Sequence, residues 1–191
     1  MRCFVAVELP AAVRTAVALE QARVRAAAPG ADVRWVDPMA FHLTLKFLGE
    51  VREARLPEVE EVLRALAAVV APLPLAIGGV GAFPSPRRAR VVWVGITAGA
   101  ADLARLAGAV DRALSALGFG SEARPWHAHL TVGRVRAAHG LGRLAAAIEG
   151  PARAEIGAWT AREVVLYRSH LRPAGADHEV LARLPLAAAD A

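Results

Sequence analysis

A chain of 191 residues, 55% of them hydrophobic, can bury a core as one domain or as one domain built from two similar halves. No window is apolar over the length a membrane helix needs, and the single Cys3 excludes an internal disulfide framework or cysteine metal cluster, so a cytoplasmic protein with no membrane association is expected. The net charge of +5 admits an anionic partner, but Lys46 is the only lysine, and the abundance of arginine and alanine reads as a compositional habit as much as an RNA signature.

Taken in chain order, "RCFVAVE" at 2–8 reads as a strand, which is a better account of the apolar N-terminus than a signal peptide because Glu8 and Pro10 end the run early. Pro10 suits the first turn of a helix running to about Ala28, where Pro29-Gly30 breaks it. A short strand is expected at 33–37 and a longer one at 41–48, "FHLTLKFL". Residues 56–71 carry acids in the first turn and helical apolar spacing. Strands at 73–82 and 90–97 flank the Pro- and Arg-rich loop "FPSPRR". The second half repeats the plan, with a helix over 100–117 ended by Gly118 and Gly120, then a strand in "WHAHLTVGRV" and a short helix in "LGRLAAAIE". Strands follow in "ARAEIGAW", "REVVLYRSHL" and "HEVLARLPL". Hairpins mixed with helices indicate an α+β fold, and nothing in the composition cuts the 1–191 chain into independent domains.

The chemistry lies in a repeat. His42-Leu43-Thr44 recurs as His129-Leu130-Thr131, in the motifs 42–45 and 129–132, and chance alone predicts about 0.16 His-x-Thr triplets in a chain of this composition. On a strand, His42 and Thr44 share one face while Leu43 and Leu45 take the other, and the second copy does the same. If the halves are related by a pseudo-two-fold, two imidazoles and two hydroxyls converge across a groove. Imidazole titrates near neutrality, so such a pair suits a reaction needing one base and one acid, and hydrolysis of a phosphodiester is one. Threonine hydroxyls and nearby cations would hold the non-bridging oxygens. A single strand histidine is more often a packed or surface residue than a catalyst, but the matched pair reverses that preference. His127-x-His129 offers two metal ligands on one strand face, yet no Asp, Glu or Cys cluster supplies the rest, and no cofactor is expected.

Other candidates are weaker. Lys46, four beyond His42, falls on the same face of a regular strand and is either a phosphate contact or a solvated lysine. Arg134, five beyond His129, falls on the opposite face unless a bulge re-aims it. Trp126 and Phe41 could stack on bases, although core packing fits both. Arg87, Arg88 and Arg90 form a basic loop or a solvated turn, and His139, His170 and His178 read as loop or surface histidines.

These residues resemble the two-histidine (2H) phosphoesterase superfamily, defined by two H-x-[TS]-x motifs, and within it the RNA 2',3'-cyclic phosphodiesterases, also called 2'-5' RNA ligases. "MRCFVAVELP", "FHLTLKFLGE", "FPSPRRARVVWVGI", "WHAHLTVGR" and "VVLYRSHLRPAGADHEVLARLPL" carry the resemblance, over almost the whole chain. It implies a bilobal α+β fold with two antiparallel sheets around a central cleft and helices outside. It implies metal-independent hydrolysis of 2',3'-cyclic phosphate RNA ends to 2'-phosphomonoesters in RNA processing, with a related cyclic nucleotide as an alternative substrate; the bilobal plan needs no partner to complete its site, so a monomer is expected. His42 would be the proton donor, His129 the proton acceptor, and Thr44 and Thr131 the phosphate ligands; spacing alone does not assign which histidine is which. Lys46, Arg134, Trp126 and His127 are substrate-binding candidates. Where the family signature usually has an aromatic residue, often Tyr, this chain has His178. Reversible 2'-5' RNA ligation and a non-catalytic RNA-binding module are the competing readings.

Overall fold

The computed structural model describes residues 1–121, 125–151, 154–172 and 175–188. Strand β1 (Arg2–Glu8) leads through Pro10 into helix α1 (Ala11–Ala27), then β2 (Val33–Trp35), β3 (His42–Glu50) and α2 (Leu56–Ala67). The chain continues with β4 (Leu73–Phe83), β5 (Val91–Ala98), α3 (Ala100–Ala116), β6 (His129–Val135) and α4 (Leu141–Glu149). It ends in β7 (Gly157–Ala161), β8 (Glu163–Arg172) and β9 (Gly175–Pro185). These elements follow the expected ones to within a few residues, except that α2 stops four residues early. Part of the "ARAEIGAW" expectation lies outside the described residues. Short 3-10 turns at Pro38–Ala40, Glu53–Arg55 and Pro86–Arg88 were not anticipated.

The strands form two antiparallel sheets, ordered β3-β1-β8-β9 and β2-β6-β5-β4-β7. The halves of the sequence are therefore not the lobes: β2 crosses to the second sheet, while β8 and β9 return to complete the first. Helices α2 and α3 pack on the first sheet and α1 and α4 on the second. Each sheet thus has one face covered by helices and one face turned to the cleft.

Alternation along β1 shows how the sequence produces this. Cys3, Val5 and Val7 enter the main core beneath the helices, whereas Phe4 and Ala6 join Val165 and Tyr167 in a smaller buried cluster on the cleft face. The first sheet is strongly curled. Its edge strands are β3 and β9, separated by three strand spacings, about 14 Å if the sheet were flat. Yet the rings of His42 on β3 and His178 on β9 lie 5.1 Å apart, edge to face.

Candidate active site

Both motif histidines are held in the same way. His42 Nδ1 lies 2.8 Å from the carbonyl oxygen of Ala40, and His129 Nδ1 lies 2.8 Å from that of His127, each two residues upstream. A carbonyl only accepts, so Nδ1 must carry the proton and donate, which leaves Nε2 as the basic nitrogen of the neutral ring. Among the described residues no protein group bonds to either Nε2. The two rings are thereby fixed in one tautomer, with one nitrogen each available for proton transfer.

Aromatic rings back both imidazoles. Phe4 lies 4.7 Å from His42, and Phe83 meets His129 edge-on at 5.1 Å. Burial lowers the His42 pKa to about 4, with His178 and Arg134 adding to the effect and the Ala40 carbonyl and Glu8 opposing it. His42 keeps part of its surface open to the cleft, but the atoms packed around the ring still exclude most of its water. Burial also lowers the His129 pKa, again with a contribution from Arg134. Strands β3 and β6 lie in contact, which brings the two motifs to one cleft.

Two β-bulges set what else reaches the cleft. In the β5–β6 ladder Trp93 pairs with Thr131 but Val92 pairs with Gly133, so Val132 is an extra residue. The parity of β6 flips after it, and Arg134, paired with Val91, joins the face of His129 and Thr131. The Val132 carbonyl accepts from Val36 N–H at 3.0 Å and from the buried Gln21 amide of α1 at 2.8 Å. In the β1–β3 ladder Ala6 pairs with Thr44 but Val5 pairs with Lys46, so Leu45 is the extra residue. Lys46 therefore turns away from the cleft. It is 5% exposed and donates to Asp111 of α3 at 2.5 Å and to the Gly120 carbonyl at 2.6 Å. The expected same-face phosphate contact is thus corrected, because a regular strand was assumed through Leu45. Phe47, five beyond His42, takes the cleft face opposite Phe4 and is 64% exposed. The fifth residue after each histidine faces the cleft: Phe47 from one sheet, Arg134 from the other.

The remaining candidates divide clearly. The Trp126 indole donates to the Thr44 carbonyl at 3.2 Å and packs against the core, tying the approach to the second motif onto the strand of the first. His127 is exposed, 6.0 Å from the Phe83 ring. Phe41 is buried in the core. His178 is not a surface histidine: its ring meets Phe4 at 4.9 Å and His42 at 5.1 Å, and its Nδ1 is buried with no hydrogen-bond partner. Thus the position still makes aromatic packing contacts despite its departure from the family signature. Beneath this group, Glu8 accepts from Tyr167 and from Arg183, the latter at 2.8 Å. Burial raises the Glu8 pKa, but these bonds outweigh it and hold the carboxyl below the usual range. No group of three or more metal-ligating side chains is gathered among the described residues.

Comparison with known proteins agrees with this arrangement. The model of LigT-like phosphoesterases matches residues 7–93 and again 94–176, one copy of the histidine motif in each. An RNA 2',3'-cyclic phosphodiesterase of Methanothermobacter thermautotrophicus is 37% identical over 175 residues, covering 92% of this chain and 93% of its own. A crystal structure from Thermus thermophilus superposes with a TM-score of 0.81 at 30% identity, covering 97% of this chain and 98% of that one. Escherichia coli LigT in complex with 3'-AMP superposes with a TM-score of 0.74 at 28% identity, covering 97% of both chains. The two tethered histidines on two antiparallel sheets, the twice-matched family model and full-length relatives make this chain a member of the LigT-like family of 2H phosphoesterases.

Proposed function

We propose that the protein hydrolyses RNA 2',3'-cyclic phosphate ends to 2'-phosphomonoesters, using its own acid–base pair and no metal ion. The observation that carries this reading is the matched Nδ1 tether, which leaves one basic Nε2 from each sheet for the same cleft. Water attacks phosphorus as His129 Nε2 takes its proton. The P–O3' bond breaks as protonated His42 delivers a proton from Nε2 to the departing oxygen. Thr44, Thr131 and Arg134 hold the non-bridging oxygens as charge builds there. Phe47 and Phe4 form an apolar wall on the side of His42, where the terminal base rests.

The relatives named RNA 2',3'-cyclic phosphodiesterase and the LigT structure with 3'-AMP support this substrate class. The direction of proton transfer follows the family resemblance and makes a demand on the site. His42 is mostly neutral at pH 7 when the cleft is empty, so the substrate's negative charge must raise its pKa. The test is product identification after a 2',3'-cyclic phosphate oligonucleotide is incubated with chelator and wild-type, His42→Ala or His129→Ala protein. Loss of the 2'-phosphate product in both variants is expected. Full activity in either one, or dependence on an added divalent cation, overturns the reading.

A further inference from the structure

Beyond the phosphate between the histidines, one charged group on the cleft face remains unexplained. Arg34 of edge strand β2 pairs in register with Arg134 of β6, and directly opposed residues of antiparallel strands project to the same face. Arg34 therefore shares the cleft face with Arg134, Thr131 and His129. Val33 and Trp35, the alternate residues, pack into the core. Both arginines are exposed, and among the described residues neither makes an ion pair or hydrogen bond.

Two like charges directly opposite one another destabilise a strand pair. The adjacent charges show what this ladder does when it is neutralised: Arg136 pairs with Asp32 at 2.7 Å. The other nearby carboxylate, Asp37, caps the Met39 N–H. The arginine pair thus sits one strand spacing from the motif, with the local acids already engaged. Its position suits a second anion.

We propose that Arg34 and Arg134 form a backbone-phosphate subsite for the nucleotide preceding the cyclic end, making single-stranded RNA of two or more nucleotides, rather than a cyclic mononucleotide, the preferred substrate. This rests on the function proposed above. In this arrangement Arg134 lies between the two phosphates, and Arg34 reads only the internal phosphodiester. The RNA leaves the cleft across β6 toward the β2 edge, while the terminal base lies on the opposite side against Phe47.

The test compares wild type with Arg34→Ala, Arg34→Lys and, as a charge control on remote α2, Arg64→Ala. The substrates are cytidine 2',3'-cyclic phosphate and a trinucleotide ending in 2',3'-cyclic phosphate. In parallel, fluorescence anisotropy measures binding of a 5'-labelled trinucleotide 2'-phosphate from low to high salt. Each phosphate contact on a single strand contributes about 0.7 to the slope of log affinity against log salt. Arg34→Ala is expected to make the trinucleotide slope shallower by about 0.7 and to reduce the trinucleotide-to-mononucleotide ratio of kcat/KM roughly tenfold. Arg34→Lys restores the slope, and Arg64→Ala leaves both readouts unchanged. An unchanged slope and ratio in Arg34→Ala, or an equal loss in Arg64→Ala, overturns the subsite. The binding arm needs no turnover, so a wild type that hydrolyses neither substrate refutes the proposed activity while the anisotropy slopes still decide the role of Arg34.

Discussion

A bound cyclic phosphate should change the acidity of the histidine pair, and the size of the change can be worked from the site. With the cleft empty, His42 has a pKa of about 4 and His129 is also below its ordinary value, both mainly through burial. A cyclic phosphate brings one negative charge. At about 4 Å and an effective dielectric of about 20, that charge favours imidazolium by about 4 kcal/mol. This equals about 3 pKa units, enough to carry His42 to about 7. The two limbs belong to the histidine pair as coupled values. The kcat/KM profile, which reports the free protein, should therefore be a bell centred below 6.5, with its acid limb near 4. The kcat profile, which reports the complex, should lie about 3 units higher. Initial rates on a cyclic-phosphate oligonucleotide between about pH 3.5 and 9 measure both profiles. Two kcat/KM limbs at or above 6.5 would refute burial as the controlling effect. Coincident kcat and kcat/KM profiles would show that no anion sits within reach of the pair.

The same burial makes stability pH-dependent. The folded pKa of His42 lies below its unfolded value, so between about 6.5 and 4 the unfolded chain binds more protons, and stability is lost as the pH is lowered through that window, by up to ~3 kcal/mol, measured by urea unfolding. His42→Ala and His129→Ala should each lower kcat by at least about a hundredfold with unchanged circular dichroism. Lys46→Ala removes the buried ammonium that donates to Asp111 and to the Gly120 carbonyl and should cost about 1–3 kcal/mol of stability, yet leave kcat/KM per folded molecule within about twofold; a selective loss of activity would return Lys46 to the phosphate. Gln21→Leu removes both amide bonds beneath the Val132 bulge, so it should cost about 1–3 kcal/mol and lower kcat/KM by releasing Arg134. His178→Phe removes a charge that lowers the His42 pKa and should move the acid limb of kcat/KM upward.

His42, Thr44, His129 and Thr131 were legible because a period-two pattern places them together on any regular strand, and because the pattern occurs twice. Lys46 was misplaced, and Arg134 was placed only on the condition of a bulge, for one reason: each lies beyond a bulge that inverts the strand. The second bulge left a trace in Gly133, since glycine within a strand often marks one. The first left none, and Phe47 was not singled out. What fixes the second bulge is tertiary, because its carbonyl is satisfied by Gln21, a residue of α1 distant in sequence. His178 was unreadable for a similar reason: its neighbour His42 is at the far edge of the same sheet, and only the curl brings them together.

That curl has a consequence for assembly. The sheet bearing His42 joins β1 and β3 to β8 and β9, and the Phe4–Tyr167 stack at 5.0 Å lies on the seam. During synthesis His42 emerges early, with its tether to Ala40 encoded beside it, but Tyr167, His178 and Arg183 arrive last. Until they do, the ring has Phe4 behind it but lacks the Tyr167 and His178 rings, so its burial is incomplete. Contacts spanning so much of the sequence also fold slowly. The site thus acquires its tuned acidity only when the last strands have docked, and a nascent chain carries both histidines before it carries their chemistry.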